Sequence, residues 1–420
     1  MRTIYTYICV LLMVALSACH RDEGVGVDFA SLPNLGHRFI PASQLDYDLS
    51  QQPMAVCGRR DASSIDGIGL LRGMTDALTC SIRQVSGIYN TVDAYGKPVW
   101  LSGAVYYPKS GTINGIIVSC HYTVCADYEV PSQSCFMDAW LATKGYVVVM
   151  PDYMGYGSTV DSIHPYMQAE LTVHHILDMA LAVRPFFADE GMTILSDEII
   201  LMGYSQGAHA AMHALKWVEE AATNEYKTAQ LRVKRCCCGG GPYYVSDFYR
   251  RCVRNNHISI PCGVPLLVLG MEPGWNWKST AQPFANSNDY RTRLFSAYSL
   301  ANYQDWILSK RYTVDQLSTC IGTGTLTEIL SNKACDLWST ESKAFQNVLT
   351  KHDVPSTYAP QTEVWIFHSL DDDIIHVSYA QKLQQQFITY GAPNATFDID
   401  HYGVHGMAFA RFLLKIYKTL

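Results

Sequence analysis

Apolar residues come along this chain in short continuous runs separated by amphipathic stretches. Gly115-Ile-Ile-Val-Ser-Cys120, Gly145-Tyr-Val-Val-Val-Met150, Ile199 to Met202, Leu231 to Cys238 and Thr362 to Phe367 read as strands buried on both faces. Helices are predicted between them, over Ser134 to Lys144, Met167 to Phe187 and the stretch after Ser205 to about Glu220. Ahead of them, Gln84 to Val92 and Pro98 to Tyr107 flank the turn Asp93-Ala-Tyr-Gly-Lys97, which predicts an antiparallel hairpin. The chain closes on a helix at Ser378 to Tyr390, a strand at Ala395 to Ile399 and a helix at His405 to Tyr417. A leading hairpin followed by repeated strand–helix units predicts an α/β architecture, a mostly parallel sheet with helices on both faces.

Two stretches break this rhythm. From residue 20 to about 82 Pro and Gly are scattered, with a helix predicted only around Leu70 to Leu78, so this reads as an extension packed on the main domain. From Gly241 to about Pro360 there are short helical pieces and many aromatics, among them Trp275, Trp277, Tyr298, Tyr303 and Trp306. That is too long for a plain loop and predicts an inserted helical lid or cap. Val264 to Leu269 is its one strand-like run, and it could extend the main sheet. The expected division is 1–18 signal segment, 19–81 tether and extension, 82–240 core, 241–360 cap and 361–420 core again.

Composition changes the picture at the amino end. Arg2 and the apolar run Ile8 to Leu16 form a targeting segment too short to span a bilayer. It ends in Leu16-Ser17-Ala18-Cys19, which resembles a bacterial lipobox, and such a signal implies cleavage before Cys19 and lipidation of that residue. The expectation is an exported lipoprotein held by Cys19 on the outer membrane, at the periplasmic face or the cell surface. The 48% hydrophobic and 16% charged content of the 420 residues fits a globular protein, and a net charge of −7 spread along the chain gives no reason to expect a nucleic-acid partner. Of 14 cysteines, twelve remain once Cys9 and Cys19 are set aside. In an exported protein Cys57/Cys80, Cys252/Cys262 and Cys320/Cys335 are candidate local disulfides, while Cys236-Cys237-Cys238 reads as small buried hydrophobes.

The candidate chemistry centres on Gly203-Tyr-Ser-Gln-Gly207, a G-x-S-x-G directly between a predicted strand and a predicted helix. A Cβ at Gly203 or Gly207 would clash as the chain reverses, and Ser205 would be strained with its hydroxyl at the carboxyl edge of the sheet. Such a nucleophile needs a carboxylate and a histidine later in the chain. The carboxylate lies among Asp371, Asp372 and Asp373, in the loop after the Thr362–Phe367 strand. His405 is the favoured histidine, because it opens the last helix and Gly406 leaves room beside it, and His401 is its competitor. Gln206 is the expected source of one oxyanion N–H, and Tyr122 or Thr123 of the other. His209 and His213 are four apart on a helix, but Ala210 stands where a metalloprotease has glutamate, and His174-His175 has no ligand set nearby. No metal and no cofactor are expected.

With these residues in place the chain resembles the α/β-hydrolase fold from about Ile82 to Leu420, and within it the secretory lipase family. The cues are Ser119-Cys-His-Tyr-Thr123, Met150-Pro-Asp-Tyr-Met-Gly-Tyr-Gly157, His164-Pro-Tyr166 and the Ser205 elbow. The resemblance implies Ser205 as nucleophile, Asp372 as acid and His405 as base, acting on carboxylic esters, small or lipid, under a helical lid. Asp372 is selected because the family's loop reads His-Gly-x-x-Asp with an aliphatic residue three further on, here Ile375. Tyr122 and Ser369 stand where the family has glycine. Two other readings use the same residues: a serine peptidase of aminopeptidase type, holding an amine near Asp152 or in the cap, and a non-catalytic surface lipoprotein binding glycan or lipid.

Overall fold

The computed structural model describes residues 36–48, 81–109, 112–220, 231–277 and 283–420. The signal segment, Cys19, the predicted helix at Leu70 to Leu78 and the Cys57/Cys80 pair lie outside the described residues. Nine strands form one sheet: β1 (Phe39–Asp48), β2 (Ser81–Val92), β3 (Pro98–Pro108), β4 (Gly115–Cys120), β5 (Tyr146–Pro151), β6 (Glu198–Tyr204), β7 (Arg232–Gly239), β8 (Glu363–Ser369) and β9 (Ala395–Asp400). Their order is β1-β2-β3-β5-β4-β6-β7-β8-β9. The first three alternate in direction and β3 pairs antiparallel with β5, while β5, β4, β6, β7, β8 and β9 run parallel.

The predicted hairpin forms with Val92 opposite Pro98. Its turn is held by Asp93, whose Oδ1 accepts the N–H groups of Tyr95 (2.8 Å) and Lys97 (2.9 Å). β1 was not predicted. Phe39 is buried and Ile40 to Asp46 are exposed, so no alternation marks that stretch, and the register shifts between Pro41 and Ser43. An edge strand with a proline at an irregularity carries little sequence signal.

In the parallel strands successive side chains enter opposite cores, which is why both parities are apolar. Ile116, Val118, Val147, Val149, Ile199, Leu201, Cys236 and Cys238 pack under α1 (Ala169–Asp189), α2 (Gln206–Glu220) and the later helix Ser378–Tyr390. Ile117, Val148, Met150, Ile200, Met202 and Cys237 pack on the other face, against the 3₁₀ turn Met137–Lys144 and the last helix, His405–Thr419. The three adjacent cysteines thus behave as small buried hydrophobes, as expected.

The insertion holds α3 (Val245–Asn255), α4 (Gly263–Gly270), α5 (Ser287–Leu294), α6 (Ala297–Tyr303), α7 (Val314–Ile321), α8 (Leu326–Ile329), α9 (Asn332–Cys335) and α10 (Thr340–Thr350). Val264 to Leu269 is therefore a helix and does not extend the sheet. All of α4 is buried, so its apolar run carries no periodicity to separate helix from strand. Most of these helices contribute to a third apolar cluster. After the insertion come α11 (Ser378–Tyr390) and α12 (His405–Thr419). Cys252, Cys262 and Cys320 form no disulfide, which corrects two of the expected pairs, Cys252/Cys262 and Cys320/Cys335. Cys262 faces Cys125 of the core instead, with the sulfurs 3.9 Å apart, and Cys320 is exposed. Closeness in sequence did not bring these partners together.

His209 and His213 hold the cap's end to the core: both aim Nε2 at the His352 carbonyl, at 2.7 and 3.2 Å. Burial pushes His121, His174 and His209 down to about 4, and His175 and His352 to about 3. In the unfolded chain these imidazoles titrate near 6.5, so below that pH the unfolded state binds more protons. The stability they contribute is full above about pH 6.5 and is lost as pH falls, by up to about 1.4 kcal/mol per pH unit for each ring. Thermal melts from pH 7 downward should therefore show Tm dropping steeply toward about pH 4.5. A flat profile would contradict these neutral, buried rings.

Candidate active site

β6 ends at Tyr204, α2 begins at Gln206, and Ser205 between them has φ 56°, a left-handed conformation that costs a side-chain-bearing residue energy. Its N–H donates to the Gly239 carbonyl at the end of β7 (2.8 Å). The two glycines are needed for close approach. A Cβ on Gly203 would lie 2.1 Å from the Gly207 carbonyl oxygen, and one on Gly207 would lie 1.8 Å from that of Cys120. The Ala208 and His209 N–H groups turn back onto the Ser205 carbonyl (3.0 and 3.4 Å), and the amino end of such a helix favours negative charge.

Gln206 is fixed by a residue that the sequence reading quoted only as part of a motif. Its side-chain amide donates to His164 Nε2 (3.0 Å), and His164 Nδ1 donates to the Met154 carbonyl (2.9 Å). Burial, then the charge of Lys310, push His164 well below its ordinary value, so the ring is neutral and this tautomer satisfies both contacts. The loop after β4 is braced similarly. His121, pushed down by burial, donates from Nδ1 to the Tyr122 carbonyl (2.6 Å). Tyr122 packs its ring on Phe136 and Phe409, and the Thr123 hydroxyl bonds the Tyr166 hydroxyl at 2.9 Å.

The three aspartates have three different partners. Asp372 accepts the Ile374 and Ile375 N–H groups on Oδ1 (3.0 and 2.7 Å) and bonds His405 Nδ1 through Oδ2 (2.7 Å). Burial pushes this carboxyl up, but the bond to His405, the charges of His405 and His368 and the Ile375 N–H outweigh it and hold Asp372 below its ordinary value. Asp373 accepts the His405 backbone N–H (3.0 Å), satisfying an orphan donor at the start of α12. Asp371 pairs with His401 at the surface (2.7 Å), which accounts for the competing histidine. The Ser369 hydroxyl, at a position where the sequence pattern expects glycine, donates to the Gly403 carbonyl (2.6 Å) and accepts the Tyr402 N–H (3.1 Å). It welds the Asp372 loop to the His405 loop.

Tyr204 links serine and histidine. Its hydroxyl donates to the His405 carbonyl (2.8 Å) and its ring lies 4.9 Å from the imidazole. Asp372 and His405 are thus joined across β8 and the turn after β9, and Tyr204 ties that turn to the residue before Ser205. Among the described residues the Ser205 hydroxyl makes no hydrogen bond to His405. Asp152 is buried, and burial pushes its carboxyl up to about 6, yet its oxygens are taken up by the Ser132 N–H (2.8 Å) and hydroxyl. No group of three or more metal-ligating side chains occurs among the described residues.

No family model and no curated protein matches the chain. Solved structures do. The rice cell wall degrading esterase LipA from Xanthomonas oryzae is 19% identical, covers 92% of this chain and 95% of its own, and superposes with a TM-score of 0.68. Candida antarctica lipase A in its closed state is 17% identical over 79% of this chain and 75% of its own, with a TM-score of 0.54. The chain has the α/β-hydrolase fold, with an inserted helical cap.

Gly207→Ala forces α2 away from β4 and should cost about 3 kcal/mol in denaturant unfolding, through overpacking at a site with no room to relax. A variant as stable as the parent would mean that the helix does not cross the strand this closely.

Proposed function

We propose that this protein is a serine hydrolase of carboxylic esters, using Ser205 as nucleophile, His405 as base and Asp372 as the orienting acid. The reading rests on one observation above all: His405 Nδ1 is bound at 2.7 Å to the buried Asp372 carboxylate, while Ser205 is strained at the end of β6. With Nδ1 occupied, Nε2 is the nitrogen left for proton transfer. In the substrate complex the Ser205 hydroxyl turns onto Nε2, loses its proton and attacks the ester carbonyl carbon. The oxyanion is held by the Gln206 N–H and by one from Tyr122 or Thr123. Collapse expels the alcohol with the proton from His405, and water deprotonated by the same ring then releases the acid and regenerates Ser205.

Ester specificity is supported by the names of the structures it resembles, an esterase and a lipase, and by the closed surroundings of Asp152, which leave its carboxylate nothing to offer a substrate amine. The lipobox-like Leu16 to Cys19 supports an exported lipoprotein held at the outer membrane by Cys19, with small-molecule or lipid esters as substrates. The secretory lipase resemblance of the motifs belongs to the same reading.

Ser205→Ala should lower kcat on p-nitrophenyl butyrate by about 10³-fold or more, with Tm unchanged or slightly raised as strain is relieved. Labelling of the parent by a fluorophosphonate, absent in the variant, is the companion measurement, and no label on the parent would favour a binding protein. Asp372→Asn should drop kcat by about 10⁴-fold through the wrong histidine tautomer. Asp371→Asn should stay within a few-fold of the parent, and the reverse ranking would reassign the acid.

A further inference from the structure

Lys310 belongs to the cap, yet its ammonium is buried against the core beside the stretch that follows β4. The residue is 3% exposed and has φ 54°, a left-handed backbone in a residue that gains nothing local from it. Its carbonyl accepts the Asp127 N–H (2.8 Å), pinning the cap to the stretch that continues from Thr123. Its Nζ stands 4.9 Å from the centroid of the Tyr156 ring and has no hydrogen-bond partner. No carboxylate lies within ion-pair distance of it among the described residues. A ring face steadies a desolvated cation but accepts none of its three N–H donors.

The surroundings connect this ammonium to the reacting centre. The Tyr156 hydroxyl donates to the Val124 carbonyl (2.7 Å), and its ring lies 5.0 Å from His164, which holds Gln206 at 3.0 Å. The titratable groups around Lys310 are Cys125 and Asp127 from the loop, with Tyr156 and His164 below. The Asp127 carboxylate is engaged by the Gly157 N–H (2.6 Å) and the Gln133 amide (2.7 Å). Leaving an ammonium buried with its donors unmade is costly, and a fold with no need of the charge would place an apolar residue here.

We infer that Lys310 is a specificity residue that receives a carboxylate carried by the substrate, so that the preferred esters are monoanions. This rests on the ester-hydrolase reading above and extends it to the substrate's class. Burial lowers the lysine to about 8, with Cys125 and Asp127 pulling the other way, so the ammonium is charged at neutral pH and the preference should fade above about pH 8.

The test separates binding from turnover. In the Ser205→Ala protein, calorimetry compares monomethyl glutarate with the neutral dimethyl glutarate. The expected result is at least tenfold tighter binding of the monoanion, lost in the Ser205→Ala, Lys310→Met double variant and kept in the one carrying Lys310→Arg. Equal binding of the two esters, or a preference that survives Lys310→Met, overturns the inference. Should Lys310→Met fail to fold, Lys310→Gln takes its place with the same criterion. In the otherwise unmodified enzyme the ratio of kcat/KM for mono-p-nitrophenyl glutarate to that for p-nitrophenyl butyrate reports a carboxylate on the acyl side. The ratio for 4-acetoxybenzoate to phenyl acetate reports one on the alcohol side. One ratio should fall at least tenfold in Lys310→Met, and if neither falls the inference is overturned. Lys310-dependent binding without hydrolysis of any of these esters would instead sink the ester-hydrolase reading and leave the anion site standing.

Discussion

The backbone of α2 passes so near the Cys120 carbonyl that no side chain fits between them. This contact sets the position of everything else in the site. It brings the end of β6 and the end of β4 together, with Cys120 opposite Gly203 and Gly207 against the Cys120 carbonyl. It also forces the reversal that leaves Ser205 at φ 56°. Strain of this kind persists only where the surroundings over-determine it, and here the Ser205 N–H is held by Gly239 and the next residue by His164.

Around that crossing the loops are tied to one another by polar contacts. Ser369 and Asp373 join the β8 loop to the turn that carries His405, and Tyr204 joins that turn to the serine. The Tyr204 bond is buried and the Ser369 bond partly so, and a buried partner left unmade costs about 1–3 kcal/mol. The site is positioned through such pairs and has little freedom to drift. The cap contributes from above by a different means: His352 lies across His209 and His213, and Lys310 reaches toward Tyr156.

Much of this was legible in the residues. Strands buried on both faces announce themselves as continuous apolar runs, and β4 to β8 were placed to within a residue or two at each end. Gly203 and Gly207 mark the crossing because only glycine tolerates it, and Ser205 follows from them. Where local pattern is silent the reading failed. In β1 Phe39 is buried and Ile40 to Asp46 are exposed, which leaves no period to find. α4 is buried all round, so helix and strand look alike in sequence. The expected pairs Cys252/Cys262 and Cys320/Cys335 assumed that neighbours in sequence are neighbours in space, whereas Cys262 meets Cys125.

By itself the sequence determined strands β4 to β8, the helices between them and the turn at Ser205, because these depend on periodicity and on steric rules that act over a few residues. Only the tertiary structure distributed the roles of Asp371, Asp372 and Asp373, since three identical side chains in a row differ only in what stands opposite them. The same holds for Ser369, which gave no local sign of joining two loops, and for Lys310, whose burial against the core is created by the cap folding down. Contacts between residues far apart in the chain leave no period and no motif, and at this site they settle which group pairs with which.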